Sequence, residues 1–174
     1  MLMGELCVYE MCARAGGPGP NYSGCRHPVG EDPCGRCPLA VSLHVRRGDY
    51  VSDPKTKAIL GVCSLDYYRA AIAHIAERIE SPAFFVFSDD IAWAKANLEI
   101  PFPCEYVDHN QGQQSYNDMH LMSLCKHHII ANSSFSWWGA WLNPRKDKIV
   151  IAPENWFANN EDAKDLIPPE SVKL

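Results

Sequence analysis

Several absences narrow what this sequence can be. No run in its 174 residues approaches the roughly 18 apolar residues of a membrane-crossing helix, and the N-terminus lacks a basic region followed by an apolar stretch and a small-residue cleavage site. The expectation is a cytoplasmic chain without a transmembrane segment, with peripheral membrane association left open. Positive charge is not in excess either: 16 Lys and Arg face 21 Asp and Glu, a net charge of −5. Without a diffuse basic field a nucleic-acid backbone has no general attraction to this surface, so any anion must be gripped by a few placed cations. No Gly-x-Gly-x-x-Gly or Walker pattern follows a predicted strand, which disfavours a flavodoxin-like or other Rossmann domain for a different nucleotide. Cysteine is sparse where the chain is regular. Five of the eight lie before residue 40, while Cys63, Cys104 and Cys125 sit within or beside apolar segments, where a reduced thiol packs well.

What is present divides into two regions. Residues 1–38 hold Gly16-Gly17-Pro18-Gly19-Pro20 and most of the cysteines with no sustained apolar period, and are expected to form a poorly ordered leader. Within it, Cys34-Gly35-Arg36-Cys37 with Cys25 and His27 has the spacing of half a zinc site, but the usual second pair is missing and Cys7 and Cys12 fit no frame, so no metal is assigned. Residues 39–174 alternate short apolar runs with amphipathic stretches, the pattern of repeated βαβ units. Strands are predicted at 39–45, 83–87, 104–107, 128–131 and 148–152, and helices at 65–79, 91–97, 116–126 and 135–141. The fold class is therefore α/β, a Rossmann-like parallel sheet of about five strands with flanking helices.

In such open sheets ligands gather beyond the carboxyl ends of the strands, and three polar clusters follow predicted strands there. The first, His44-Val45-Arg46-Arg47-Gly48-Asp49-Tyr50, places two guanidinium groups at a strand exit. Arginine offers a planar, permanently charged fork suited to bidentate capture of a diphosphate, and Gly48 lets the backbone turn sharply. The plainer reading has the arginines pairing with Asp49 or Asp53. The second cluster, Ser88-Asp89-Asp90, suits the capping of the next helix; adjacent acids in a turn point apart, which argues against a shared metal. The third, Asn132-Ser133-Ser134-Phe135-Ser136-Trp137-Trp138-Gly139, is a hydroxyl-rich turn into a helix, where free N–H groups and the helix dipole favour a phosphate. Trp137, Trp138 and Trp141 are expected to pack against the sheet rather than stack on a sugar.

These motifs, with Tyr116-Asn117-Asp118-Met119-His120-Leu121-Met122 between the second and third, resemble in order those of the α-1,2-fucosyltransferase family over roughly residues 40–174. The resemblance implies the C-terminal, nucleotide-binding half of a GT-B glycosyltransferase. It implies an inverting, metal-independent transfer of L-fucose from GDP-fucose to the 2-hydroxyl of a terminal galactoside, with no cofactor beyond the donor. By the same resemblance Arg46 meets the β-phosphate with Arg47 in support, His44 and Asp118 address the guanine, and Asn132, Ser133 and Ser134 line the diphosphate. Arg46, Arg47 and Asp49 form the catalytic set, with Asp89 and Glu154 as other candidates for the base. The family usually has a substantial lobe before the first motif, which here begins at His44, so the chain is expected to be truncated. It is expected to bind GDP weakly and transfer poorly, or to act as a non-catalytic GDP-sugar-binding fragment through a protein partner. The partners expected are the donor and a galactose-terminated glycan; the oligomeric state is not indicated.

Overall fold

The computed structural model describes residues 40–110, 112–159 and 161–174. Leu39, the leader and its cysteine and histidine candidates lie outside the described residues.

Apolar runs too short for helices become the strands of one sheet. β1 (Ala40–Val45) is buried at all six positions, as expected of a strand covered on both faces. Beside it lies β2 (Ala83–Ser88), then β3 (Cys104–Val107); on its other side come β4 (His127–Ile129), β5 (Val150–Ala152) and β6 (Val172–Lys173). The order is β3-β2-β1-β4-β5-β6, and every pairing is parallel. Among the described residues the sheet thus has six strands rather than about five. The sixth contributes two residues in a proline-bearing tail, too few to show a period.

Six α-helices connect the strands among the described residues: α1 (Gly48–Ser52), α2 (Pro54–Ile59), α3 (Leu65–Ala76), α4 (Ile91–Asn97), α5 (Tyr116–Leu124) and α6 (Ser134–Leu142). Their starts follow capping chemistry. The side chains of Ser64, Asp90 and Ser133 accept from the backbone N–H groups of Tyr67, Trp93 and Phe135, satisfying donors that a helix start leaves free. Two short helices escaped prediction. α2 opens on Asp53, which accepts from the N–H of Thr56, with Pro54 at the first helical position, a start signal that is legible in Asp-Pro. α1 has no side-chain cap, and its Gly48 does not make the sharp turn expected of it: the glycine begins a helix and has no positive φ.

Alternate residues of the strands supply two cores. On one face Val41, Leu43, Val45, Phe84, Val86, Ile129 and Ile151 pack with Tyr68, Ala71, Ile72 and Ile75 of α3. On the other, Phe85 and Phe87 meet Leu121 and Met122 of α5, while Ile130 and Val150 pack with Ala140 of α6, Trp156 and Ile167. The tryptophans depart from expectation. Trp138 and Trp141 are 44% and 58% exposed and lie edge to face against each other, with centroids 5.3 Å apart. Only Trp137 is partly covered, its Nε1 donating to the Leu166 carbonyl at 2.6 Å. The reason lies in the stripe of α6 that is buried: Ser136, Gly139 and Ala140 are small enough to bring the helix close, which turns the indoles outward.

Candidate functional site

The strand order reverses between β1 and β4, where one half of the sheet is built to one side and the second half to the other. That reversal opens a crevice at the strands' carboxyl ends. Register brings the three polar clusters to it: Val45 pairs with Ser88 of β2, and Leu43 pairs with Ile129 of β4. The arginine loop therefore stands between the acidic turn and the hydroxyl-rich turn. Tyr50 closes the link, its hydroxyl donating to the Asn132 carbonyl at 3.2 Å while its ring lies 5.1 Å from the Arg46 guanidinium carbon.

Both arginines are held. Arg46 Nη2 contacts Asp49 Oδ1 at 2.6 Å, and Nη1 contacts Asp89 Oδ2 at 3.1 Å. Arg47 lies over the Trp93 ring at 3.7 Å and pairs through Nε with Asp90 Oδ2 at 3.3 Å; a guanidinium is suited to such stacking. Asp53, the other acid named for these arginines, caps α2 instead. Asp90 both caps α4 and holds Arg47.

Two polar atoms at this exit are buried without a partner: His44 Nδ1 and Arg46 Nε. An unpaired buried polar group costs roughly 1–3 kcal/mol, and such exceptions call for an explanation. A polar ligand in the crevice would supply one. His44 is 4% exposed and lies 5.7 Å, ring to ring, from Phe135 of α6. Burial and the nearby Arg46 charge lower its pKa to about 3, so the ring is neutral and able to accept at one nitrogen and donate at the other.

The third cluster divides into brace and rim. Asn132 is 3% exposed; its side-chain nitrogen donates to the carbonyls of Leu60 at 2.7 Å and Trp156 at 3.1 Å. That amide ties two loops to the end of β4. Ser133 is buried and caps α6, accepting from Phe135 N–H at 3.3 Å. Ser134, in the first turn, is exposed, beside N–H groups that have no partner within the helix. Asp118 stands in the first turn of α5, where it accepts from Asn110 Nδ2 at 2.7 Å. Burial raises its pKa, against the opposing effect of that hydrogen bond.

Glu154 is set apart from the arginines. With Asn132, Cys63, Ser64, Tyr67 and Phe157 it lines a cleft of about 330 Å³ beyond the ends of β4 and β5. Among the described residues no group of three or more His, Cys, Asp or Glu side chains is placed to hold a metal ion, and no helix is long and apolar enough to cross a membrane. Sequence reasoning gave no role to Tyr50, and missed Trp93 and Asn110. Trp93, three residues after the cap Asp90, had a legible helical position but no signal of its partner.

Comparison of the sequence with known proteins finds a family. The profile of glycosyl transferase family 11 covers residues 30–170. An O-antigen biosynthesis glycosyltransferase of Escherichia coli, WbnK, is 48% identical over 125 residues, covering 71% of this chain and 41% of the relative. An alpha-1,2-colitosyltransferase of Escherichia coli is 46% identical over 141 residues, 80% of this chain and 49% of the relative. Human galactoside alpha-(1,2)-fucosyltransferase 1 is 31% identical over 137 residues, 77% of this chain and 36% of the relative. The chain thus aligns with less than half the length of each of these relatives.

Proposed function

The chain belongs to glycosyl transferase family 11, and on that premise we propose that its crevice binds GDP-fucose and serves transfer of L-fucose to the 2-hydroxyl of a terminal galactoside, with inversion and without a metal or further cofactor. The observation that carries this reading is the joining of the arginine loop to the hydroxyl-rich turn, through the Tyr50 hydroxyl on the Asn132 carbonyl, at the point where the strand order reverses. The diphosphate would lie between them, its β-phosphate on Arg46 and its other oxygens toward the N–H groups and hydroxyls at the start of α6. His44 and Asp118 would face the guanine, Asp118 accepting from its N1 and N2 edge. Asn132 contributes by holding the turn in place.

As GDP departs, negative charge grows on the β-phosphate and positive charge spreads over the sugar ring. A cation already in position stabilises that state more than the ground state. Arg46→Ala should therefore lower turnover by roughly 10² to 10³-fold and weaken GDP binding while the chain stays folded. Undiminished transfer in the presence of a chelator is the outcome expected of a metal-independent reaction.

Relatives differ in the sugar that their names give, colitosyl in one and fucosyl in another, with the α-1,2 linkage in common. The assay therefore compares both donors, with lactose as acceptor. A second reading is a GDP-sugar-binding unit that transfers only with a protein partner. Titration calorimetry with GDP beside the transfer assay separates the two. Binding with transfer supports the first, binding without transfer supports the second, and no binding of GDP sinks both.

A further inference from the structure

Arg46 is held by two carboxylates that are not equivalent. Asp49 touches it through one oxygen at 2.6 Å, and its side chain is 51% exposed. Asp89 is 26% exposed and is anchored twice: Oδ2 meets Arg46 Nη1 at 3.1 Å, while Oδ1 accepts the backbone N–H of Arg47 at 2.8 Å. The chain makes room for that anchoring at Gly48, where a Cβ would run into Asp89 Oδ2. This close approach explains the glycine, since its backbone is otherwise ordinary.

A phosphate bidentate on Arg46 would take the unpaired Nε and the Nη2 beside it, and there it competes with Asp49. Displacing Asp89 would leave the Arg47 N–H without its acceptor and would free Arg46 to swing. Displacing Asp49 breaks one contact of a half-exposed side chain that water can solvate at once. We propose that these acids divide the work: Asp89 is a permanent positioning residue that aims Arg46, with Gly48 as the space it requires. Asp49 is an exchangeable counterion that donor binding releases to act as the base.

This deepens the proposed function and rests on it. In the step, the acceptor oxygen forms its bond to the sugar's anomeric carbon as the bond from that carbon to the β-phosphate oxygen breaks. The electron pair leaves with GDP, and the acceptor proton passes to the Asp49 carboxylate. Asp49 is thus released from Arg46 only when donor is bound, which makes productive binding ordered, donor before acceptor.

The test measures GDP affinity by calorimetry and transfer kinetics on the full chain carrying Asp89→Asn, Gly48→Ala, the pair together, and Asp49→Asn. Asp89→Asn should weaken GDP binding about tenfold by letting Arg46 wander. Gly48→Ala should match it, and the double variant should lose little more than either single one, because both remove the same contact. Asp49→Asn should bind GDP at least as tightly as the parent yet lose roughly 10² to 10⁴-fold in kcat. Circular dichroism melts confirm folding, and should Gly48→Ala fail to fold, the near-isosteric variants still separate the two roles, Asp89→Asn weakening GDP binding and Asp49→Asn not. Equal effects of Asp49→Asn and Asp89→Asn, or full additivity of Gly48→Ala with Asp89→Asn, overturn the division. Failure of the parent chain to bind GDP would instead remove the functional reading itself, and the inference with it.

Discussion

At the scale of single residues, the crevice shows how one side chain serves local structure and chemistry together. Asp90 caps α4 and orients Arg47; Ser133 caps α6 in the turn to which the proposed function assigns the diphosphate. Arg47 is sandwiched between Asp90 and the Trp93 ring, with its side chain only 18% exposed. Replacing Trp93 by Leu keeps an apolar side chain but removes the ring face, so the guanidinium loses its stacking surface. Trp93→Leu should cost about 1–2 kcal/mol of stability in denaturant melts and weaken GDP binding less than Arg46→Ala does. An effect as large as that of Arg46→Ala would mean that Arg47 carries the phosphate together with Arg46.

At the scale of elements, the placing of α6 decides the shape of the third cluster. Its buried stripe is Ser136, Gly139 and Ala140, and a Cβ at Gly139 would lie 2.8 Å from Met122 Cβ of α5. Gly139→Ala must push the two helices apart or shift Met122; either costs about 1–3 kcal/mol. Because Ser133 and Ser134 ride on the same helix, the variant should also weaken GDP binding, whereas an alanine on the outer face, Trp141→Ala, should leave GDP binding unchanged. The helix ends are tied as well. Asn143, just after α6, donates to the Cys125 carbonyl at 2.5 Å and to His128 Nε2 at 2.9 Å. His128 Nδ1 therefore carries the proton and donates to the Ser42 hydroxyl at 2.9 Å. This network joins α5, α6, β1 and β4 beneath the crevice.

At the scale of the whole molecule, buried histidines couple folding to pH, His44 and His128 most strongly and His127, lowered to about 4, less so. Burial lowers His128 to about 3, with Lys148 adding to the shift, and His44 likewise to about 3. The unfolded chain takes up protons on both rings near their ordinary pKa of about 6.5, and the folded chain refuses them until far lower pH. Their contribution is therefore complete above about pH 6.5. It falls as the solution is acidified toward 3, by on the order of 1.4 kcal/mol per pH unit for each ring. The urea midpoint should drop measurably between pH 7 and pH 5, a window above most carboxylate titration; an unchanged midpoint would show both rings protonated in the fold. Much of this architecture was legible in the chain. Apolar runs of strand length, the caps Ser64 and Asp90, and the alternation of β with α are local signals, and local signals determine which elements form and that their polar ends share one side of the sheet. The partnership of Arg46 with Asp89, 43 residues away, the stacking of Arg47 on Trp93, the outward turn of the indoles and the spending of Asn132 on two loop carbonyls were not legible. Those depend on strand order and register, which set distances between residues far apart in sequence, and only packing of the completed sheet decides them.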